Sequence, residues 1–153
     1  MINARAETVA EKPSFREAFL KQRCLVVADG FYEWRKDGKI KKPMYIHLRS
    51  GQPLGFAGPY NTWKSQEEEQ VCTSTIITTE ANELLAPIHD RMPVITPEDK
   101  FATWLEPSEQ DKNALKKLLM PYPSEELEAY EVSAKVNSVQ YNAPDIIKPK
   151  DQQ

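Results

Sequence analysis

Cysteine is scarce in this chain: Cys24 and Cys72 are the only two in 153 residues. That is too few for a disulfide framework or a thiolate metal site. Both stand in apolar stretches and are expected to be buried thiols. The compartment that fits is a reducing cytoplasm. Histidine is equally scarce, with His47 and His89 alone. No apolar run approaches the roughly 20 residues that a membrane span needs, and residues 1–5 lack the basic-then-apolar pattern of a secretory signal, so no membrane partner is expected. Internal repeats and low-complexity segments are absent. So are a Gly-x-Ser-x-Gly elbow and a His-Glu-x-x-His zinc motif, which argues against general proteolysis by either route. Net charge is −3, so the whole chain makes no case for a polyanionic partner.

What is present describes one globular domain over residues 1–153. Apolar residues make up 40% and charged residues 28%, ordinary for a chain long enough to bury a core. The charges are unevenly placed. Residues 1–50 hold 11 Lys and Arg against 6 Asp and Glu, and the remainder is strongly acidic. A basic N-terminal third on an acidic body suits a local phosphate-binding face, or is simply a solvated lysine surface.

Periodicity points to an α+β fold, strand-rich and largely antiparallel, with a few peripheral helices. Residues 15–21 read as a short amphipathic helix with Ser14 as its N-cap. Residues 24–28 are a continuous apolar run, hence a buried strand, and 31–35 continue extended. Lys36-Asp37-Gly38-Lys39 is a hairpin signal, returning over 44–49. Residues 54–60 and 71–79 read as strands, the second a central one, with a polar, glutamate-rich loop between them. A helical turn over 80–85 and a short strand over 93–96 follow. Pro97 opens a helix over 98–105, Ser108 precedes a second over 109–120, and 127–136 is a late strand.

Three places carry candidate chemistry. Glu33 lies in Phe31-Tyr32-Glu33-Trp34, where alternation puts it on the face of Phe31 and opposite Tyr32 and Trp34. A carboxylate in so aromatic a strand is either an edge group in water or a functional acid. His89 sits between Pro87 and Pro93, flanked by Asp90 and Arg91. It is a proton-transfer candidate, or part of a turn that an Asp–Arg pair pins. His47, on a strand, reads as structural. Asn3, Arg5 and Glu7 share one face if residues 3–8 are extended. An amide, a guanidinium and a carboxylate in a row suit anion or carbonyl recognition, or form a disordered polar terminus. Tyr32, Trp34 and Trp63 could stack bases or line a groove.

Taken together these blocks resemble a known family. Asn3-Ala4-Arg5-Ala6-Glu7-Thr8, Arg23-Cys24-Leu25, Ala28-Asp29-Gly30-Phe31-Tyr32-Glu33-Trp34 and His89-Asp90-Arg91-Met92-Pro93-Val94 are similar, in order and spacing, to the signature of the SRAP (SOS response-associated peptidase) family. Phe56-Ala57-Gly58 with Trp63, and Thr75-Ile76-Ile77-Thr78 before Ala81-Asn82, fit the same pattern. The resemblance implies a sensor of abasic sites in single-stranded DNA. An N-terminal cysteine, exposed by removal of the initiator methionine, attacks the ring-opened sugar and leaves a thiazolidine crosslink. Asn3, Glu33 and His89 would then be the catalytic residues, and Arg5, Arg91, Trp34 and Trp63 the DNA-binding ones. No metal and no cofactor are implied, and the location is cytoplasmic, with the nucleoid when bound to DNA.

Family members begin Met-Cys-Gly-Arg, with tens of residues before the Asn3 block. Here Met1 and Ile2 stand directly before it. The expectation is therefore a chain corresponding to the C-terminal two-thirds of the family domain, without the nucleophile and inactive in crosslinking as given. Either it self-associates or another chain supplies the missing segment. The alternatives are a non-catalytic single-stranded DNA- or protein-binding module, and a peptidase confined to its own processing.

Overall fold

The computed structural model describes residues 2–67 and 69–152. Met1, whose status as the start the sequence left open, and Glu68, in the polar loop, lie outside the described residues. Among the described residues nine strands form three small sheets. The first joins β1 (Asn3–Arg5), β7 (Ile76–Glu80) and β8 (Arg91–Pro93); the second β2 (Arg23–Ala28), β5 (Leu54–Lys64) and β6 (Gln70–Ser74); the third β3 (Phe31–Asp37), β4 (Ile40–Leu48) and β9 (Leu127–Glu131). Every pairing is antiparallel except β1 with β7. The α-helices are short: α1 (Arg16–Lys21), α2 (Phe101–Leu105) and α3 (Lys112–Lys116). The expected strand-rich α+β class is the one found.

The first two sheets are stitched together. Phe56 bridges Ile95, and the Ala57 N–H donates to the Val94 carbonyl. This joined layer has a core on each face, and alternation divides its residues between them. Ala57, Ile77 and Val94 enter a cluster with Val9, Phe15, Phe19 and the fully buried Trp104. Their chain neighbours Phe56, Ile76 and Ile95 pack into a second cluster with Met44, Ile46, Leu85 and Leu127. Strands covered on both faces read as continuous apolar runs; residues 24–28, expected on that ground to be a buried strand, instead form the outer strand β2, half-buried with Val27 exposed. The third sheet lays one face on the second cluster. Its other face carries Tyr32, Tyr45, His47 and Tyr130, with ring centroids 5.4–5.8 Å apart. His47 is thus part of a stacked aromatic patch.

Several local expectations shift. The 71–79 run is two strands, interrupted at Thr75, and β6 is an outer strand with Cys72 exposed. Only Cys24 is half-buried, and burial pushes its thiol pKa up. Helix α1 starts after Phe15 with no side-chain cap. The Phe15 and Arg16 N–H groups already donate to the Lys12 carbonyl, so the preceding turn does the work expected of Ser14. Helix α3 is capped by Asp111, whose carboxylate accepts from the Asn113 and Ala114 N–H groups. Ser108 instead bonds Glu106. Strand β9 stops at Glu131, and the chain turns over Ser133, which accepts from the Lys135 N–H.

Arg23 is buried and binds five main-chain carbonyls: those of Phe19, Leu20, Trp104, Glu106 and Glu109. The first four are acceptors at the ends of α1 and α2, and the Glu109 carbonyl belongs to the loop that leads to α3. One guanidinium thereby locks both helices onto β2. Hydrogen bonds to a charged group stabilise by about 1.5–3 kcal/mol each in favourable cases.

Candidate functional site

Strand β3 delivers Glu33. Phe31, two residues earlier on the same face, packs edge-on against Phe56 at 5.7 Å and anchors the strand to the second cluster. Glu33 is the next rung outward, paired with Met44. There it lines a hollow of about 450 Å³ together with Trp34, Lys36, Lys41 and His89. Its Oε1 accepts from the Trp34 N–H at 3.2 Å. A larger hollow of about 610 Å³, walled by Leu25, Val27, Pro53, Phe101 and Tyr122 with Glu98 and Glu126 at its margin, holds no imidazole or ammonium. It offers less chemistry than the smaller one.

His89 reaches the cavity from a different part of the chain. The turn before it is pinned by Leu85 and Ile88, both buried, and the Leu85 carbonyl accepts from the N–H groups of Ile88 and His89. The Arg91 N–H donates to His89 Nδ1 at 3.0 Å. The Arg91 carbonyl lies 3.2 Å from the same nitrogen, so a ring protonated at Nε2 accepts from the Arg91 main chain and one protonated at Nδ1 donates to it. Asp90 Oδ1 stands 3.2 Å from Nδ1, ready to hold the ring once it is charged.

Arg91 points elsewhere. Its two terminal nitrogens grip both oxygens of Glu7 at 2.9 and 3.0 Å, and Nη2 also donates to the Thr78 carbonyl at 2.7 Å. Such a fork-on-fork pair is the stronger kind of ion pair. It holds the Glu7 carboxyl below its ordinary value, Arg91's hydrogen bond being the main cause. The turn is pinned by an acid–arginine pair, but the acid is Glu7, not Asp90.

Asn3 and Arg5 are exposed on β1, opposite the buried Ala4. In the register they lie beside Ile76 and Thr78. Ile76 packs against the cluster that holds Phe31, so the Asn3 face looks toward the same side of the layer as β3. Neither residue lines the hollow. Arg5 makes no ion pair among the described residues. Trp34 forms a wall, its indole N–H donating to Asn137 Oδ1 at 2.8 Å. Trp63 is apart from it, half-exposed far along β5 opposite Val71. Among the described residues no three His, Cys, Asp or Glu side chains gather as metal ligands. The structure thus brings together Glu33, His89 and Trp34 and adds Lys36, read from sequence only as part of the hairpin signal, and Lys41, given no role there. Their place on either side of the turn was the available signal.

The structure is a strand-built domain in which a carboxylate and an imidazole share one hollow with two lysines. Comparison narrows this to a family. The SOS response associated peptidase (SRAP) profile matches residues 1–139, and the chain belongs to that family. It is 49% identical over 149 residues to the abasic site processing protein YoqW of Bacillus subtilis (strain 168), covering 97% of this chain and 66% of that protein. It is 33% identical to the abasic site processing protein HMCES of Gallus gallus, across 96% of this chain and 49% of that one. A crystal structure of a Bacteroides thetaiotaomicron protein superposes with a TM-score of 0.89 at 37% identity, over 96% of this chain and 65% of its own. The chain therefore spans just under two thirds of the length of the bacterial relative.

Proposed function

We propose that this chain recognises abasic sites in single-stranded DNA and supplies the proton-transfer half of a crosslinking reaction. The observation that carries the reading is the shared hollow of Glu33 and His89. Two groups able to exchange protons, from distant parts of the chain, converge there beside ammonium groups and an indole. A ring-opened abasic sugar presents an aldehyde. An attacking amine forms a carbinolamine, which becomes an imine when its hydroxyl leaves as water, and that departure needs a proton donor. A thiol then adds across the imine to close a thiazolidine. Glu33 and His89 are the groups placed to give and take those protons. Asn3 and Arg5, on the neighbouring strand face, would hold the sugar and a phosphate. Arg91 acts through Glu7 and the His89 turn as a positioning residue.

Cys24 and Cys72 are internal, so neither has the free α-amine that a thiazolidine requires. In this reading the amine and thiol come from a terminal cysteine on another segment or another chain, against which the outer strands dock. The test compares binding of abasic and undamaged single strands by fluorescence anisotropy. Abasic DNA should bind more tightly by about tenfold, the 1.4 kcal/mol worth of one good polar contact. Glu33→Gln and His89→Ala should remove that preference. Equal binding of both strands by the unaltered chain would leave only a non-catalytic single-strand binder, which Trp34 and the flanking lysines would serve.

A further inference from the structure

The hairpin of β3 and β4 places Lys36 directly opposite Lys41 and Arg35 directly opposite Lys42. Like charges facing each other across an antiparallel pair destabilise it, so two such rungs in succession call for a reason. The structure treats the two rungs differently. Lys42 is paired with Asp37. On the same face, Arg35 and Lys42 also lie in the field of Glu131, whose carboxyl is lowered chiefly by its hydrogen bond from Lys150, with Lys42 and Arg35 adding to the effect. That rung is neutralised within the fold.

The other rung is not. Lys36 and Lys41 alternate onto the opposite face and form no ion pair among the described residues. Both line the hollow with Glu33, Trp34 and His89. Glu33, the one carboxylate there, accepts from the Trp34 main chain and forms no ion pair with either lysine. Trp34 shares the face of Lys36 one rung away and is held in place by Asn137. The surface beside the cavity thus offers two unneutralised ammonium groups on one rung and a fixed indole on the next.

We propose that Lys36 and Lys41 clamp the phosphodiester next to the sugar bound in the hollow, with Trp34 stacking the adjoining base. An anion between the two ammonium groups turns their repulsion into attraction. A cationic groove beside an aromatic platform is how single strands are tracked without regard to sequence. This inference rests on the nucleic-acid reading above and adds a contact that Arg91, already held by Glu7, does not provide.

The test is the salt dependence of single-stranded DNA binding. Each lost phosphate contact should lower the slope of log K against log salt by about 0.7 for a single strand. The Lys36→Gln/Lys41→Gln double variant should therefore lose roughly 1.4 from the slope. Lys42→Gln, on the same hairpin but paired with Asp37, should leave it unchanged, and Lys36→Arg/Lys41→Arg should restore it. An oligonucleotide with an uncharged methylphosphonate on each side of the abasic position should weaken binding to the unaltered chain but not to the double Gln variant. If the unaltered chain prefers abasic DNA but the double Gln variant keeps its slope, or Lys42→Gln lowers the slope as much, the clamp is wrong and the proposed function stands. If the unaltered chain binds no single strand at all, both fall. A melting temperature of the double Gln variant equal to or above that of the unaltered chain excludes misfolding as the cause.

Discussion

The pairing of Glu7 with Arg91 shows what a single residue can hold together. It ties the turn after β1 to the segment that presents His89. Because Arg91 depresses the folded-state pKa of Glu7 below 4.5, the pair's stabilisation is present above pH 4.5 and is lost as pH falls through the lowered value. Glu7 is half-exposed, so salt screens the pair and its worth is about 1 kcal/mol or less. Glu7→Gln should lower the melting temperature slightly at neutral pH and flatten its decline between about pH 5 and 3; identical melting curves for both proteins across that range would remove the assignment. Glu33 was legible beforehand because strand alternation alone ties it to Phe31. Arg91 was not. Its neighbour Asp90 looks like the obvious partner, and nothing local shows that Glu7 folds back to reach it. Asn3 was read as part of the catalytic group; the structure puts it on the adjoining strand face, a placement that depends on a parallel pairing with β7 that no nearby residue signals.

At the scale of elements, strand β5 organises the molecule. Its first half pairs with β2 and its second with β6. Gly58 stands where one partner gives way to the other, and a methyl group there would meet the Thr75 carbonyl oxygen. The obstacle is backbone, so no rotamer change relieves it. Gly58→Ala should cost about 1–3 kcal/mol by overpacking, read as a lowered denaturation midpoint at unchanged slope; a midpoint equal to that of the unaltered chain would mean the junction yields more easily than its geometry implies. The same junction explains an error of sequence reading. Residues 71–79 form one unbroken β-prone run, and the break at Thr75 falls where its N–H bonds the Pro59 carbonyl of β5, with no Gly or Pro in the run to mark it. The hairpin at Gly38 was plain by contrast, because Gly38 has φ of 60° and such a turn announces itself through its glycine. Helix starts were misplaced where a backbone carbonyl or a different side chain satisfied the N–H groups that Ser14 and Ser108 were expected to meet.

Across the whole molecule, apolar side chains remain on outer strands. Val27, on the outer strand β2, is 69% exposed, and Ile2, next to the outer strand β1, is 82% exposed. Outer strands with apolar side chains invite pairing with another chain. The chain by itself should therefore associate, with a mass by light scattering that rises with concentration and responds little to salt; a constant monomer mass up to high concentration would refute this. The strand-rich class could be read from turn spacing and alternation, and family membership from four short blocks. The division of the core into two clusters could not, because alternating apolar residues in a run buried on both faces look alike until the layers are known.

The bond from the Trp34 indole to Asn137 reaches from the wall of the hollow to the segment after β9. That segment is anchored again where the Tyr130 hydroxyl donates to the Ile147 carbonyl and where Lys150 meets Glu131. Residues 133–150 therefore act as a brace behind the indole. Trimming them, or peeling them away with a competing binder, should leave Glu33 and His89 in place and free the indole to swing.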